Sequence, residues 1–161
     1  MTSIPLLCLP IAYGLVFLPK LPLSMAMARQ PEGYDNRNPR DQQAKLTGWG
    51  KRAAAAHANG FESFAPFAAG VLACQVTGAS PSWAAIFAVA YVVSRALYAA
   101  AYIGNIHMLR SSIWTIGFGA TLALLLLPGA AVRASPPARS ETATRGRRRP
   151  ASLRSSTSEG S

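Results

Sequence analysis

An all-α, four-helix transmembrane bundle is the fold this sequence predicts, on three observations. The apolar residues gather into four blocks, 4–28, 53–76, 83–103 and 113–132. Each is near or above the ~18–20 residues that span a bilayer core as helix. Stretches such as Ile86-Phe-Ala-Val-Ala-Tyr-Val-Val93 and Leu122-Ala-Leu-Leu-Leu-Leu127 have no polar face, which a soluble helical bundle would need. The polar residues inside the second and third blocks recur at helical spacing, so they form stripes rather than scatter.

The chain has 161 residues, and 50% of them are hydrophobic against 14% charged. That length fits one domain. The net charge of +10 raises nucleic acid as a partner, but the charges form no folded basic face. They lie in one loop and one tail, and a membrane surface explains the loop better. No nucleic acid partner is expected. The two cysteines, Cys8 and Cys74, have no metal or redox spacing. Both fall inside apolar helices and read as small hydrophobes, and no metal site is expected.

The first block lacks a basic start, and Lys20 interrupts it. This favours a first membrane helix over a leader cleaved after Ala26-Met-Ala28. Pro5 suits a helix start, while Pro10, Pro19 and Pro22 should bend the helix along its length. Lys20 can snorkel to an interface. Residues 29–51 form the one long polar connection, with Gly33, Asn36, Asn38 and Pro39 as turn residues. Helix two comes next, from Leu46 or Gly48 to Val76. The uncharged turn Thr77-Gly-Ala-Ser-Pro-Ser82 leads to helix three.

Helix two carries the first stripe. On a wheel of about 100° per residue, Arg52, Asn59, Glu62 and Pro66 fall within roughly 80°, and His57 points elsewhere. A cation, an amide and an anion thus share one face, above a proline that frees a backbone carbonyl. Polar groups at the mouth of a membrane helix need a partner or a purpose. Helix three carries the second stripe, with Tyr91, Arg95, Tyr98 and Tyr102 within roughly 60°. It forms either the wall of a polar cavity or a helix contact in which Arg95 pairs with Glu62. Two such stripes exceed what one four-helix unit can satisfy internally, which points to a homo-oligomer.

Ile103-Gly-Asn-Ile-His-Met-Leu109 joins helix three to helix four. Arg110 and Ser111 open helix four, with Trp114, Gly117 and Thr121 on the face of Arg110, and Pro128-Gly129 marks its end. From Arg133 the composition turns to Arg, Ser, Thr, Pro and Ala without periodicity. This divides the chain into a membrane domain, 1–132, and a disordered basic tail, 133–161. Arg145-Gly-Arg-Arg-Arg149 suits anionic lipid or nucleic acid, though a solvated tail is the simpler reading. The charged first and third connections place both termini outside the cytoplasm, while the seven arginines of the tail pull the other way.

Three motifs together resemble the MAPEG family, membrane-associated proteins in eicosanoid and glutathione metabolism. They are His57-Ala-Asn59-Gly-Phe-Glu62-Ser-Phe-Ala-Pro66-Phe67, Arg95-Ala-Leu-Tyr98-Ala-Ala-Ala-Tyr102, and Arg110-Ser111. The loop Gly33-Tyr-Asp-Asn-Arg-Asn-Pro-Arg40 looks like the bacterial branch, which implies a multi-pass protein of the bacterial inner membrane. The resemblance covers about residues 5–128 and none of the tail. It implies trimers of four-helix protomers, with glutathione bound as co-substrate between neighbours near the cytoplasmic face.

Carried over by position, the resemblance gives Asn59 and Glu62 the peptide's backbone and amine. Arg95 and Tyr102, with Arg52 and Tyr98 beside them, would hold the carboxylates and main chain. Arg29 would reach a neighbour's site, and Arg110 would activate the thiol. The chain departs from the family at Ala55, where many members have arginine, and in a gap from Tyr102 to Arg110 one residue shorter than in some. The resemblance implies a glutathione-dependent transferase or peroxidase acting on lipophilic electrophiles. That chemistry suits the residues. Arginines bind carboxylates bidentately, and a guanidinium beside sulfur stabilises a thiolate. A non-catalytic membrane protein, binding or structural, with an internal Arg95–Glu62 pair is the alternative. A small transporter fits less well, because the middle blocks lack ionisable pairs.

Overall fold

The computed structural model describes residues 3–134, and within them every regular element is a helix. Six helices succeed one another: α1 (Ile4–Phe17), α2 (Lys20–Ala28), α3 (Pro39–Lys45), α4 (Gly48–Thr77), α5 (Pro81–Ile103) and α6 (His107–Ala134). Three stretches are long and apolar enough to cross a membrane: Ile4–Ala28, Pro81–Ile103 and His107–Arg133. α4 has the length, about 45 Å at 1.5 Å per residue, but is not among them. Asn59, Glu62, Ser63 and Gln75 dilute its apolar face. Its place in the bundle compensates, because α4 packs against each of the other five helices. The outer helices turn Leu7, Ile11, Ile86, Val93, Leu97, Ile116 and Leu126 outward and exposed. So broad an exposed apolar belt fits lipid rather than water as solvent.

The expected first helix is interrupted once. α1 continues through Pro10, and the chain breaks between Phe17 and Lys20. Pro19 brings no N–H to the carbonyl four residues back, that of Leu15, which instead takes a 3.3 Å bond from the Leu18 N–H. His57 Nδ1 donates to the Val16 carbonyl at 2.8 Å, so an α4 imidazole closes part of the break. That is why His57 lies away from the polar stripe.

Two further boundaries differ from expectation. α6 begins at His107, ahead of Arg110. It also passes through Pro128-Gly129 to Ala134, since proline is tolerated in a long helix where neighbours offset its lost bond. Arg133 and Ala134, the first two residues of the expected tail, are therefore helical. The rest of that tail, with Arg145 to Arg149, lies outside the described residues.

Small residues set the packing at the centre. Phe67, Val71, Cys74, Ala88, Tyr91 and Leu124 form a buried core with Cys8 and Ala12 of α1. Gly70 lets α4 approach α6 so closely that a Cβ there would lie 2.9 Å from Leu124 Cβ. The ring of Phe67 stacks on Tyr91 at 3.8 Å between centroids. Both cysteines are free and buried, and Cys74 Sγ donates to the Leu124 carbonyl.

The polar connection is built, not slack. Gln42 of α3 is buried, accepting from the Asp35 N–H at 3.0 Å and donating to the carbonyls of Gly33 and Met27. Asp35 in turn accepts from the N–H groups of Arg37 and Asn38, closing the turn that starts α3.

Candidate functional site

α4, α5 and α6 line a cleft of about 240 Å³ whose polar side is formed by Asn59, Ser63, Tyr91 and Arg95, with Glu62 at its rim. Its apolar walls include Pro66, Trp114, Phe118, Leu122 and Leu125. Arg95 is the anchor of that polar side. It is only 8% exposed, and its guanidinium lies over the rings of Tyr98 at 4.7 Å and Tyr91 at 5.6 Å. Such stacking stabilises a desolvated cation. The 4 and 3 residue spacing of Tyr91, Arg95 and Tyr98 puts both rings on the guanidinium's own face of α5. Gly117 of α6 leaves the room it occupies.

The expected direct Arg95–Glu62 pair does not form. Asn59 stands between the two, accepting from Arg95 Nη1 at 3.3 Å and donating to Glu62 Oε2 at 3.3 Å. An amide can do this because it carries an acceptor and a donor on one planar group. Glu62 is thereby held at the exposed rim while Arg95 stays inside. Beside them Tyr91 donates to Ser63 Oγ at 3.0 Å, and Ser63 donates to the Gly60 carbonyl. Pro66 brings no N–H to the Glu62 carbonyl, so the rim also carries a main-chain acceptor.

A second cleft, of about 320 Å³, adjoins the first and is lined by Tyr98, Tyr102, Arg110, Ser111, Trp114 and Thr115. Arg110 lies over the Tyr102 ring at 4.7 Å, and Tyr102 meets Tyr98 edge-on. Trp114 lines both clefts, stacked on Phe118 at 5.2 Å. The helix-four face of Arg110, Trp114, Gly117 and Thr121 thus runs from one cleft into the other.

Of the residues picked out by sequence, Asn59, Glu62 and Arg95 meet in the first cleft, and Tyr98, Tyr102 and Arg110 in the second. Arg52 and Arg29 stand outside both. Arg52 Nε donates to the Ile103 carbonyl at 3.0 Å, capping the end of α5. Arg29 lies over Trp49 at 5.6 Å. Ser63 and Trp114 are lining residues that the sequence-based site omits. Ser63 is four residues after Asn59, and Trp114 is four after Arg110, so helical spacing could have found both.

Comparison with curated proteins and with solved structures found no match. The family comparison did find one. The model of the MAPEG family matches residues 6–130. It runs from α1 almost to the end of α6 and includes every residue of the two clefts. With apolar helices of membrane length and a match over most of its length, this chain is an integral membrane protein that belongs to the MAPEG family.

Proposed function

We propose that this protein is a glutathione-dependent transferase or peroxidase acting on lipophilic electrophiles. The family includes both activities as well as non-catalytic members. The observation that carries the reading is the continuity of the two clefts through Trp114. It sets a cation on an aromatic ring, Arg110 on Tyr102, beside an apolar-walled cleft with an amide and a carboxylate at its rim.

Each group has a chemical task in this reading. Glu62 at the rim takes the peptide's amine, and Asn59 its main chain. Arg110 attracts the sulfur. A thiol with an ordinary pKa of ~8.5 is mostly protonated at neutral pH, and a guanidinium close by favours the thiolate. Arg110 cannot serve as the base, so the proton passes to water. The thiolate then attacks the electrophile, forming a carbon–sulfur bond as the leaving group departs or the double bond takes up a proton. An electrophile dissolved in lipid would enter between α4 and α6, where Leu122 and Leu125 are exposed. Arg95 lines the polar side of the cleft at 8% exposure and, in this reading, positions Asn59 as well as facing the peptide's carboxylates.

The same reading has α4 crossing the membrane as a fourth span, the protomers assembled as a homotrimer, and the termini outside the cytoplasm of a bacterial inner membrane. Residues beyond Ala134 would be dispensable for the site, since the family match ends before them. The test is a titration of purified protein in detergent with glutathione, read by the ultraviolet absorbance of its thiolate. A saturable band supports the proposal. Its absence, with the fold intact, leaves the non-catalytic reading, in which the Arg95–Asn59–Glu62 chain only ties α4 to α5.

A further inference from the structure

We infer, on the transferase reading above, that Trp114 selects the electrophile. With Phe118 it forms an aromatic shelf on α6 that takes a planar, electron-poor conjugated ring in preference to a flexible chain.

Trp114 stands where the two reactants meet. Among the described residues it is the only one that lines both clefts. The sulfur is held at Arg110 in the second cleft, and the electrophile comes from the apolar cleft of Leu122 and Leu125. Trp114 is four residues from Arg110 and eight from Leu122 on the same helix. A carbon under attack by the thiolate therefore lies beside the indole.

The indole also has free aromatic surface. Trp114 is 41% exposed and Phe118 54%, and neither belongs to a buried core cluster. Their rings are parallel to within 7°, with centroids 5.2 Å apart, the offset stack that aromatic pairs favour. A third flat ring can extend this stack at low entropic cost, because the two side chains already order one another.

The electronics of the guest follow from the shelf. An indole face is negative, so it attracts a ring whose own face has been drained by nitro or carbonyl substituents. The same substituents open a ring carbon to a thiolate. On an activated aryl halide, the sulfur electron pair forms the carbon–sulfur bond. The substituents hold the added charge, and halide leaves with the electron pair of its bond to carbon. A straight-chain hydroperoxide covers the apolar wall but gains nothing from the stack. The shelf thus acts on the difference between substrates, which is what specificity requires.

The other tryptophans provide the contrast. Trp83 stacks on Phe87 and is 56% exposed, yet it lines neither cleft. Trp49 lies under Arg29, also outside both.

The experiment uses the full chain in detergent micelles, with Trp49→Phe and Trp83→Phe so that Trp114 alone fluoresces. The probe is dinitrobenzene, which has no leaving group. Saturable quenching without glutathione is expected. A chain with Trp83 alone, made by Trp49→Phe and Trp114→Phe, should be quenched in proportion to the probe with no plateau. Turnover is the second readout. Trp114→Leu should lower kcat/KM for chlorodinitrobenzene by about tenfold, the upper end for one aromatic stack. It should leave a straight-chain alkyl hydroperoxide and the glutathione thiolate band nearly unchanged, and Trp114→Phe should recover part of the loss. Quenching of Trp114 without a plateau would overturn the shelf, and so would an equal loss for both substrates. If Trp114→Leu does not fold, Phe118→Leu removes the other ring and should show the same bias. Saturable quenching in a protein with no thiolate band keeps the aromatic site and sinks the transferase reading. A thiolate band without saturable quenching does the reverse.

Discussion

Gly117 of α6 is directly opposite Arg95 of α5, and the absence of a side chain at the first makes room for the second. A Cβ on Gly117 would lie 2.5 Å from Arg95 Nη2 and 2.5 Å from Ser94 Oγ. Gly117→Ala must therefore push the guanidinium off Asn59 or separate α5 from α6. Overpacking of this kind costs about 1–3 kcal/mol, and a lowered melting temperature in detergent should show it. Gly119, two positions on, has open space around its Cα. Gly119→Ala should be neutral, or stabilising by up to about 1 kcal/mol. Equal effects at the two positions would remove the steric explanation.

Asn59 tests whether the relay between Arg95 and Glu62 matters. Asn59→Ala strands the Nη1 donor of a buried cation, a loss of about 1–3 kcal/mol. Asn59→Asp keeps an acceptor for Arg95 but sets a second carboxylate beside Glu62. The expected order in thermal unfolding is wild type, then Asp, then Ala. Glutathione binding, measured by calorimetry, should weaken in both variants, because Glu62 is no longer held at the rim by an amide donor. Unchanged binding in Asn59→Ala would show that Glu62 does not need the relay.

Arg110 and Glu62 should separate rate from affinity. Arg110→Ala should leave glutathione affinity within several-fold while lowering turnover by about 10²-fold, the usual loss for one charge-stabilising group. Arg110→Lys should recover part of it. Glu62→Ala should lose binding first. Thiolate absorbance gives a readout independent of the second substrate, and it should vanish in Arg110→Ala but reappear in Glu62→Ala at high glutathione. The opposite pattern would reverse the two roles.

Much of this arrangement was legible in the sequence. The apolar blocks and the two stripes depend on the helical period alone, so α4 and α5, and the shared face of Arg110, Trp114, Gly117 and Thr121, came from spacing. Who meets whom across helices did not. The wheel placed Arg95 and Glu62 on facing stripes, and their opposite charges made a direct pair the obvious expectation. Only the depth of the two side chains shows that an amide must span the gap. Arg52 shared the stripe of Asn59 and Glu62, but seven residues of helix carry it to the end of α5, where a free carbonyl claims it. The break at Pro19 rather than Pro10 goes with a neighbour able to serve a freed carbonyl, and that neighbour, His57, is forty-one positions from Val16 in sequence.

Assembly is the remaining expectation. Glu62 lies exposed at the rim of a helix within an apolar belt, and no ion pair engages it among the described residues. A second protomer covering that rim would shield it. Crosslinking and native mass measurement in mild detergent should give a trimer, and glutathione binding should be lost on dissociation. A monomer that still binds would place the whole site within one chain.

The connection between α2 and α4 has its own mechanical consequence. A single amide side chain, Gln42, holds the end of α2, the turn at Gly33 and the start of the Asp35 loop at once. The connection is therefore pinned at both ends, by Gln42 at its start and by Leu46, buried against Leu23, Ala26 and Met27, at its finish. Losing the Gln42 amide would free the turn at Gly33 from the end of α2 while Leu46 stays packed, so the exposed surface of Tyr34, Arg37 and Arg40 would loosen from its N-terminal side first.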